Sequence, residues 1–244
     1  MDLSQLYMLE MMRKRRLADD SGETMRPLTL TALTAGSKVK LTKVGSPPDV
    51  SLEYSTGGTW ATYTIGTEIT LTSAGDYIKF RGDNNTFSTT TNDYYQFAMS
   101  GTIGASGNVM SLVDSTLVST TIPCNSCFKS LFYNCASLTT APALPATTLV
   151  ANCYRGMFRG CTSLTTAPAL PASALALNCY REMFYGCTKL SSIEVSFASW
   201  TQAENQTLSW VISVASSGTF TKPAALAVEY GYNRIPTGWT VIDK

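Results

Sequence analysis

The chain has no histidine in 244 residues. That excludes Ser-His-Asp and Cys-His catalysis and removes the commonest zinc ligand. Charge is sparse: Asp, Glu, Lys and Arg make up 14% of the chain, with a net of +1. A nucleic-acid binder would carry a basic excess, and there is none. No apolar run reaches the ~20 residues of a membrane span. Near the N-terminus, Arg13, Lys14, Arg15 and Arg16 follow the apolar residues instead of preceding them, so this stretch does not read as a signal peptide. Seven cysteines, an odd count, argue against a complete disulfide framework. Cys124-Asn-Ser-Cys127 has no second pair and no histidine to complete a zinc site. The sequence predicts no metal and no cofactor.

What is present is repetition. Residues 127–152 read CFKSLFYNCASLTTAPALPATTLVAN, and residues 153–178 read CYRGMFRGCTSLTTAPALPASALALN. A third copy opens at Cys179 as CYREMFYGCTKL and decays after Leu190. The period lies within the ~20–29 residues of leucine-rich repeats, whose units stack because none buries its apolar face alone. Ser126, Asn152 and Asn178 precede the Cys-aromatic starts and are N-cap residue types. Asn134, Gly160 and Gly186 stand where a left-handed C-terminal cap is wanted. Between them Phe128, Leu131 and Phe132 are spaced i, i+3, i+4, as are Tyr154, Met157, Phe158 and Tyr180, Met183, Phe184. This predicts short helices of about two turns with one buried face. Leu138, Leu164 and Leu190 are then inward residues of short extended segments, which Pro142 and Pro168 interrupt.

The Met-Phe-x-Gly-Cys-Thr-Ser-Leu core at residues 157–164 resembles that of the BspA-like bacterial leucine-rich repeat surface proteins of gut bacteria and their phages. Residues 183–190 repeat it with Lys189 for Ser, and residues 131–138 with Asn134 for Gly. The resemblance covers residues 124–195. It implies a leucine-rich-repeat fold with adhesion or partner binding, and it carries over no catalytic residue.

Six cysteines recur in the repeats as Cys127/Cys135, Cys153/Cys161 and Cys179/Cys187. Across a two-turn helix each pair sits farther apart than the ~4.4–6.8 Å a disulfide spans. They read as a ladder of small buried side chains.

The expected fold is mixed α/β and multi-domain: an N-terminal helix arm, an all-β sandwich, and a short leucine-rich-repeat solenoid with a C-terminal cap. In residues 1–26, the apolar Leu3, Leu6, Tyr7, Met8, Leu9, Met11 and Met12 lie almost all round a helix. Such a helix is normally buried. It reads as an arm that docks on a partner or on copies of itself. Packing on its own domain and membrane-surface binding are the other readings. Residues 27–122 show period-two alternation at 28–31, 38–43, 51–54, 68–72 and 76–81, with a Gly57-Gly58 turn. Residues 123–195 hold the repeats. Residues 196–244 form the cap, with an amphipathic helix over 202–214, a last strand at Trp239-Thr-Val-Ile, and Trp200, Trp210 and Trp239 in its core or forming a sugar platform.

The strongest site candidate is the column Lys129, Arg155, Arg181, at the same position in successive repeats, with Tyr133, Arg159 and Tyr185 beside it. Such a stripe suits an acidic glycan or acidic protein surface; a solvated helix face is the bland alternative. Arg81-Gly82-Asp83 spells the integrin tripeptide, and residues 82–85 offer oxygens for calcium without the spaced acids of a high-affinity loop. Paired carboxylates for glycoside hydrolysis would have to lie outside the three copies at residues 127–190, whose one acid is Glu182.

Together these features predict a non-enzymatic structural or adhesive surface protein. A phage virion component (head fibre, decoration or tail-associated) joins a binding repeat to a chain with no visible export signal. Its partners would be a capsid or tail protein, or itself, through residues 1–26, and a host surface protein or glycan through the repeats. A homo-oligomer is expected, with no nucleic acid and no membrane span. A bacterial cell-surface adhesin and a glycan-degrading enzyme are the rival readings.

Overall fold

The computed structural model describes Gly22 and residues 25–88, 90–200 and 205–244. Among the described residues there are twelve strands: β1 Leu28–Ala32, β2 Ser37–Val44, β3 Leu52–Ser55, β4 Ala61–Tyr63, β5 Ile69–Leu71, β6 Tyr77–Arg81, β7 Tyr94–Ser100, β8 Ile103–Ser106, β9 Leu138–Thr140, β10 Ser192–Glu194, β11 Thr219–Lys222 and β12 Thr240–Asp243. Among the described residues no helix of seven or more residues occurs; Val109–Leu112 is a single 3-10 turn. The expected mixed α/β class is therefore wrong. The described chain is nearly all β. The helical arm expected over residues 1–26 falls almost wholly outside the described residues, including Leu3, Leu6, Tyr7, Leu9, Met11 and Met12.

Alternating apolar residues build two sheets. One has the order β4-β3-β6-β1-β8-β9 and the other β5-β2-β7. Leu28, Leu30 and Ala32 on β1, and Val39 and Leu41 on β2, are fully buried, while the residues between them face outward or are half-covered. Phe80 of the first sheet meets Phe97 of the second with ring centroids 5.4 Å apart, and Tyr63 packs edge-on against Phe80. The buried Asn84 ties this region together. Its side chain accepts from Ser51 N–H at 2.9 Å and donates to the Ser51 and Leu112 carbonyls.

The repeats do not form the expected leucine-rich-repeat solenoid, and its helices are absent. Strand β9, from the first copy, leaves its neighbours and adds in parallel to β8 of the larger sheet. Near the end of the repeats lies the small parallel sheet β10-β11-β12. Where helices were predicted, the backbone turns left-handed at every fourth residue. Ser126, Ser130 and Asn134 have φ of 58°, 55° and 57°; Asn152, Gly156 and Gly160 have 57°, 59° and 77°; Asn178, Glu182 and Gly186 have 52°, 56° and 76°. An α-helix cannot pass through such residues. Alternate amides instead close tight turns, as Lys129 N–H does on Ser126 O at 3.0 Å and Tyr133 N–H on Ser130 O at 3.0 Å. The amides between them reach the next copy: Phe128 to Cys153 O at 2.9 Å, Ser130 to Arg155 O at 2.9 Å, Phe132 to Met157 O at 2.9 Å and Asn134 to Arg159 O at 2.7 Å. Each copy is thus a ribbon of turns bonded along its length to its neighbour.

A fourth layer continues the stack where an amphipathic helix was expected. Asn205, Ser209 and Ser213 have φ of 50°, 56° and 59°. Tyr180, Glu182, Phe184 and Gly186 donate to the carbonyls of Gln206, Leu208, Trp210 and Ile212. Aromatic side chains fill the interior in columns. Phe132 stacks on Phe158 at 5.5 Å, Phe158 on Phe184 at 5.9 Å, Phe128 on Tyr154 at 5.9 Å and Tyr154 on Tyr180 at 6.2 Å. The cysteines form a donor ladder. The Cys161 and Cys187 thiols donate to the Phe132 and Phe158 carbonyls at 3.0 Å, and Cys135 to Phe97 O at 3.2 Å. All seven cysteines are free thiols.

Both ends of the stack are closed. Strand β7 covers the first layer: Phe97 stacks on Phe132 at 5.3 Å, its N–H donates to Leu131 O at 2.7 Å, and Gln96 Nε2 donates to Tyr133 O at 2.8 Å. Asn233 covers the fourth, taking Thr207 Oγ1 and Ser209 N–H. One apolar core runs from the sheets into the stack without a break.

Candidate functional site

Stacking turns sequence positions into a grid on one edge of the ribbon. One column is Lys129, Arg155 and Arg181; the next is Ser130, Gly156 and Glu182; the third is Tyr133, Arg159 and Tyr185. All six residues singled out in the sequence are brought to this edge. Four cations here face one carboxylate.

The arginines are organised by Glu182. Its carboxylate accepts from Arg159 Nη1, takes Arg181 Nε at 3.1 Å, and lies 3.9 Å from Arg155 Nη2. Arg159 also lies over two rings, 4.5 Å from the Tyr185 centroid and 5.9 Å from that of Tyr133. Burial would raise the Glu182 carboxyl, but the neighbouring Arg181, Arg159 and Arg155 outweigh it and hold it below its usual range. Glu182 is also the one long side chain at a left-handed position in the four layers, where Ser, Asn and Gly otherwise stand. That costs about 1–2 kcal/mol of backbone strain, so its carboxylate is held against a local preference.

Lys129 departs from the expected solvated column. It is buried, at 8% exposure, because β7 crosses above the first layer. Its ammonium lies 3.7 Å from the Tyr94 ring centroid and 3.4 Å from Ser130 Oγ. Among the described residues no salt bridge forms to it. Burial, followed by the like charge of Arg155, pushes its amine down to about 8. Glu182, Tyr94 and Ser130 were not singled out as site residues. Only an in-register stack brings them to the cations.

The other sequence candidates are engaged elsewhere. Arg81 bonds Glu53 at 2.7 Å and lies over the Trp60 ring, while the Asp83 carboxylate takes Ser115 N–H at 2.8 Å and Ser115 Oγ at 2.9 Å. Both charged members of the integrin-like tripeptide are thus engaged, as are Asp83 and the buried Asn84 of the calcium loop. Trp210 and Trp239 are buried and donate to the Arg234 and Ala215 carbonyls, so they form no sugar platform. Among the described residues no cluster of three or more His, Cys, Asp or Glu could hold a metal ion. None of their helices is long and apolar enough to cross a membrane.

Two open clefts of about 450 and 470 Å³ lie among the sheets, and each has one acid, Asp76 or Asp49. Backbone N–H of Ser73 and the Thr72 hydroxyl lower Asp76; Lys43 lowers Asp49. A glycosidase acid needs its pKa raised and a second carboxylate opposite. Neither cleft supplies both. No family model matches the chain, and no curated protein or solved structure matches it.

Proposed function

We infer that the chain is a non-enzymatic attachment protein. It is mounted through residues 1–26 and holds an anionic surface with the cationic edge of its repeat stack. The observation that carries the reading is the cationic cluster: Arg155, Arg159, Arg181 and the buried Lys129, fixed in register by backbone hydrogen bonds, with one internal counter-charge. Such an edge focuses positive potential on a chain whose net charge is +1. The motif at residues 157–164 and its resemblance to bacterial surface proteins support adhesion. Membership of a virion surface, with a capsid or tail protein as the mount and a host surface protein or glycan as the target, fits both parts. A bacterial cell-surface setting fits the edge equally and differs in what holds residues 1–26.

Binding of the full chain to dextran sulfate and to neutral dextran over a salt series tests this reading. The expected result is binding to the sulfated polymer alone, weakening with salt, and reduced at least about tenfold in the Arg155→Gln/Arg181→Gln variant. Equal binding to both polymers, or to neither, would refute it.

A further inference from the structure

We propose that the edge of the second layer is a carboxylate-binding slot, floored by Gly156 and walled by Arg155, Lys129 and Ser130, that takes the acid group of a uronic- or sialic-acid-type sugar. This rests on the attachment reading and specifies its ligand.

The argument is internal to the repeat. In the third layer, the residue after Arg181 is Glu182, whose carboxylate sits between layers and is held by its own layer's Arg181 and by Arg155 and Arg159 of the layer before. Moving that arrangement back by one repeat gives a position held by Arg155 of the second layer and Lys129 of the first. The residue that would supply the carboxylate there is Gly156. Its backbone is the same as that of Glu182, with φ of 59° against 56°. A Cβ placed on it would meet nothing closer than Ser130 Oγ at 3.5 Å and Arg159 Cβ at 4.0 Å. Two of the three cations recur, with Tyr133 standing where Arg159 stands, and the left-handed backbone recurs, but the acid is missing.

Lys129 supplies an independent observation. It is a buried ammonium with one hydrogen bond, the 3.4 Å contact to Ser130 Oγ, and a ring face, but no carboxylate within ion-pair distance among the described residues, Glu182 acting on it only from farther off. A buried cation of this kind is stabilised by a charge-assisted bond to an arriving anion. Carboxylate is favoured over sulfate because the third layer already shows the planar group this cradle accepts. A sugar is favoured over an acidic peptide because the slot takes a single acid and has tyrosine rings of Tyr94 and Tyr133 at its sides. Such rings suit a pyranose face and hydroxyls.

The test is calorimetric titration of the full chain with oligogalacturonate, N-acetylneuraminate, dextran sulfate and poly-glutamate, using wild type and Gly156→Glu. The substitution installs the missing acid on a backbone that already carries Glu182 one layer on. The proposal expects the acidic sugars to bind wild type and to weaken at least about tenfold in Gly156→Glu. Dextran sulfate, held by the wider cationic edge, should change less. In the same variant the Lys129 amine, followed by NMR, should titrate at higher pH than in wild type. Should Gly156→Glu not fold, Arg155→Gln serves, with the same expected loss for acidic sugars. Undiminished binding of acidic sugars in the variants would overturn the slot. So would binding of poly-glutamate alone, or of dextran sulfate with no carboxylated sugar, although the last result would leave the attachment reading standing. Absence of binding by every anion would overturn both.

Discussion

At the scale of single residues, the buried thiols and the buried amine carry the sharpest consequences. Burial pushes Cys135 and Cys187 up to about 12, so neither forms a thiolate at neutral pH. Cys124 is the exception. Half-exposed, it is lowered to about 6, first by its contact with Cys127 and then, against burial, by the Ser88 and Phe87 amides. Alkylation of the native protein should therefore modify Cys124 with a half-maximal rate near pH 6, and mass spectrometry should find the ladder cysteines unmodified. Replacing Cys161 by alanine removes the donor to Phe132 O. That carbonyl keeps the Cys135 N–H at 3.1 Å, so losing the thiol donor should cost only about 0.5–1.5 kcal/mol in a denaturant titration. Lys129 works in the opposite sense. Its folded value of about 8 lies below the ordinary 10.5, so between these values the unfolded chain binds more protons. Its contribution to stability is therefore present above pH 10.5 and lost as pH falls through about 8. Lys129→Met should remove this pH dependence and leave the protein at least as stable at pH 7; a less stable variant would contradict the account.

At the scale of the repeat, what was legible and what was not have the same cause. The period, the inward aromatics, the cysteine ladder and the left-handed residues Asn134, Gly160 and Gly186 all follow from recurrence. The strands at Leu28–Ala32, Ser37–Val44 and Tyr77–Arg81 lie where alternation places them. The helices were misread because Ser, Asn and Gly serve both as helix caps and as left-handed turn residues. The i, i+3, i+4 spacing of Phe128, Leu131 and Phe132 also fits a ribbon that turns every four residues. Ser130 and Gly156, in the middle of the supposed helices, were the contrary signal. The fourth layer was hidden because it starts one residue late, at Asn205, and replaces the Cys-aromatic start with Gln206 and Thr207. The ribbon also ranks its glycines. At Gly160 a Cβ would meet Asn134 Oδ1 at 2.2 Å, whereas at Gly156 the nearest atom is at 3.5 Å. Gly156→Ala should cost only the left-handed strain of about 1–2 kcal/mol, and Gly160→Ala clearly more, as read from midpoints of chemical unfolding.

At the scale of the whole molecule, the closed ends of the stack decide how copies can meet. Strand β7 takes the Leu131 and Tyr133 carbonyls of the first layer, and Tyr232 and Asn233 take the Val211 and Ser209 amides of the fourth, which hinders addition of copies layer on layer. On the proposed attachment reading, assembly falls to residues 1–26. A truncation that tests them must begin at Met25, because Arg26 O accepts the Asn108 N–H at 2.8 Å. The most direct measurement is solution mass by light scattering for residues 1–244 and 25–244. The account predicts a defined oligomer for the full chain and a folded monomer for the truncated one. A monomeric full chain, or an oligomer that survives the truncation, would contradict it.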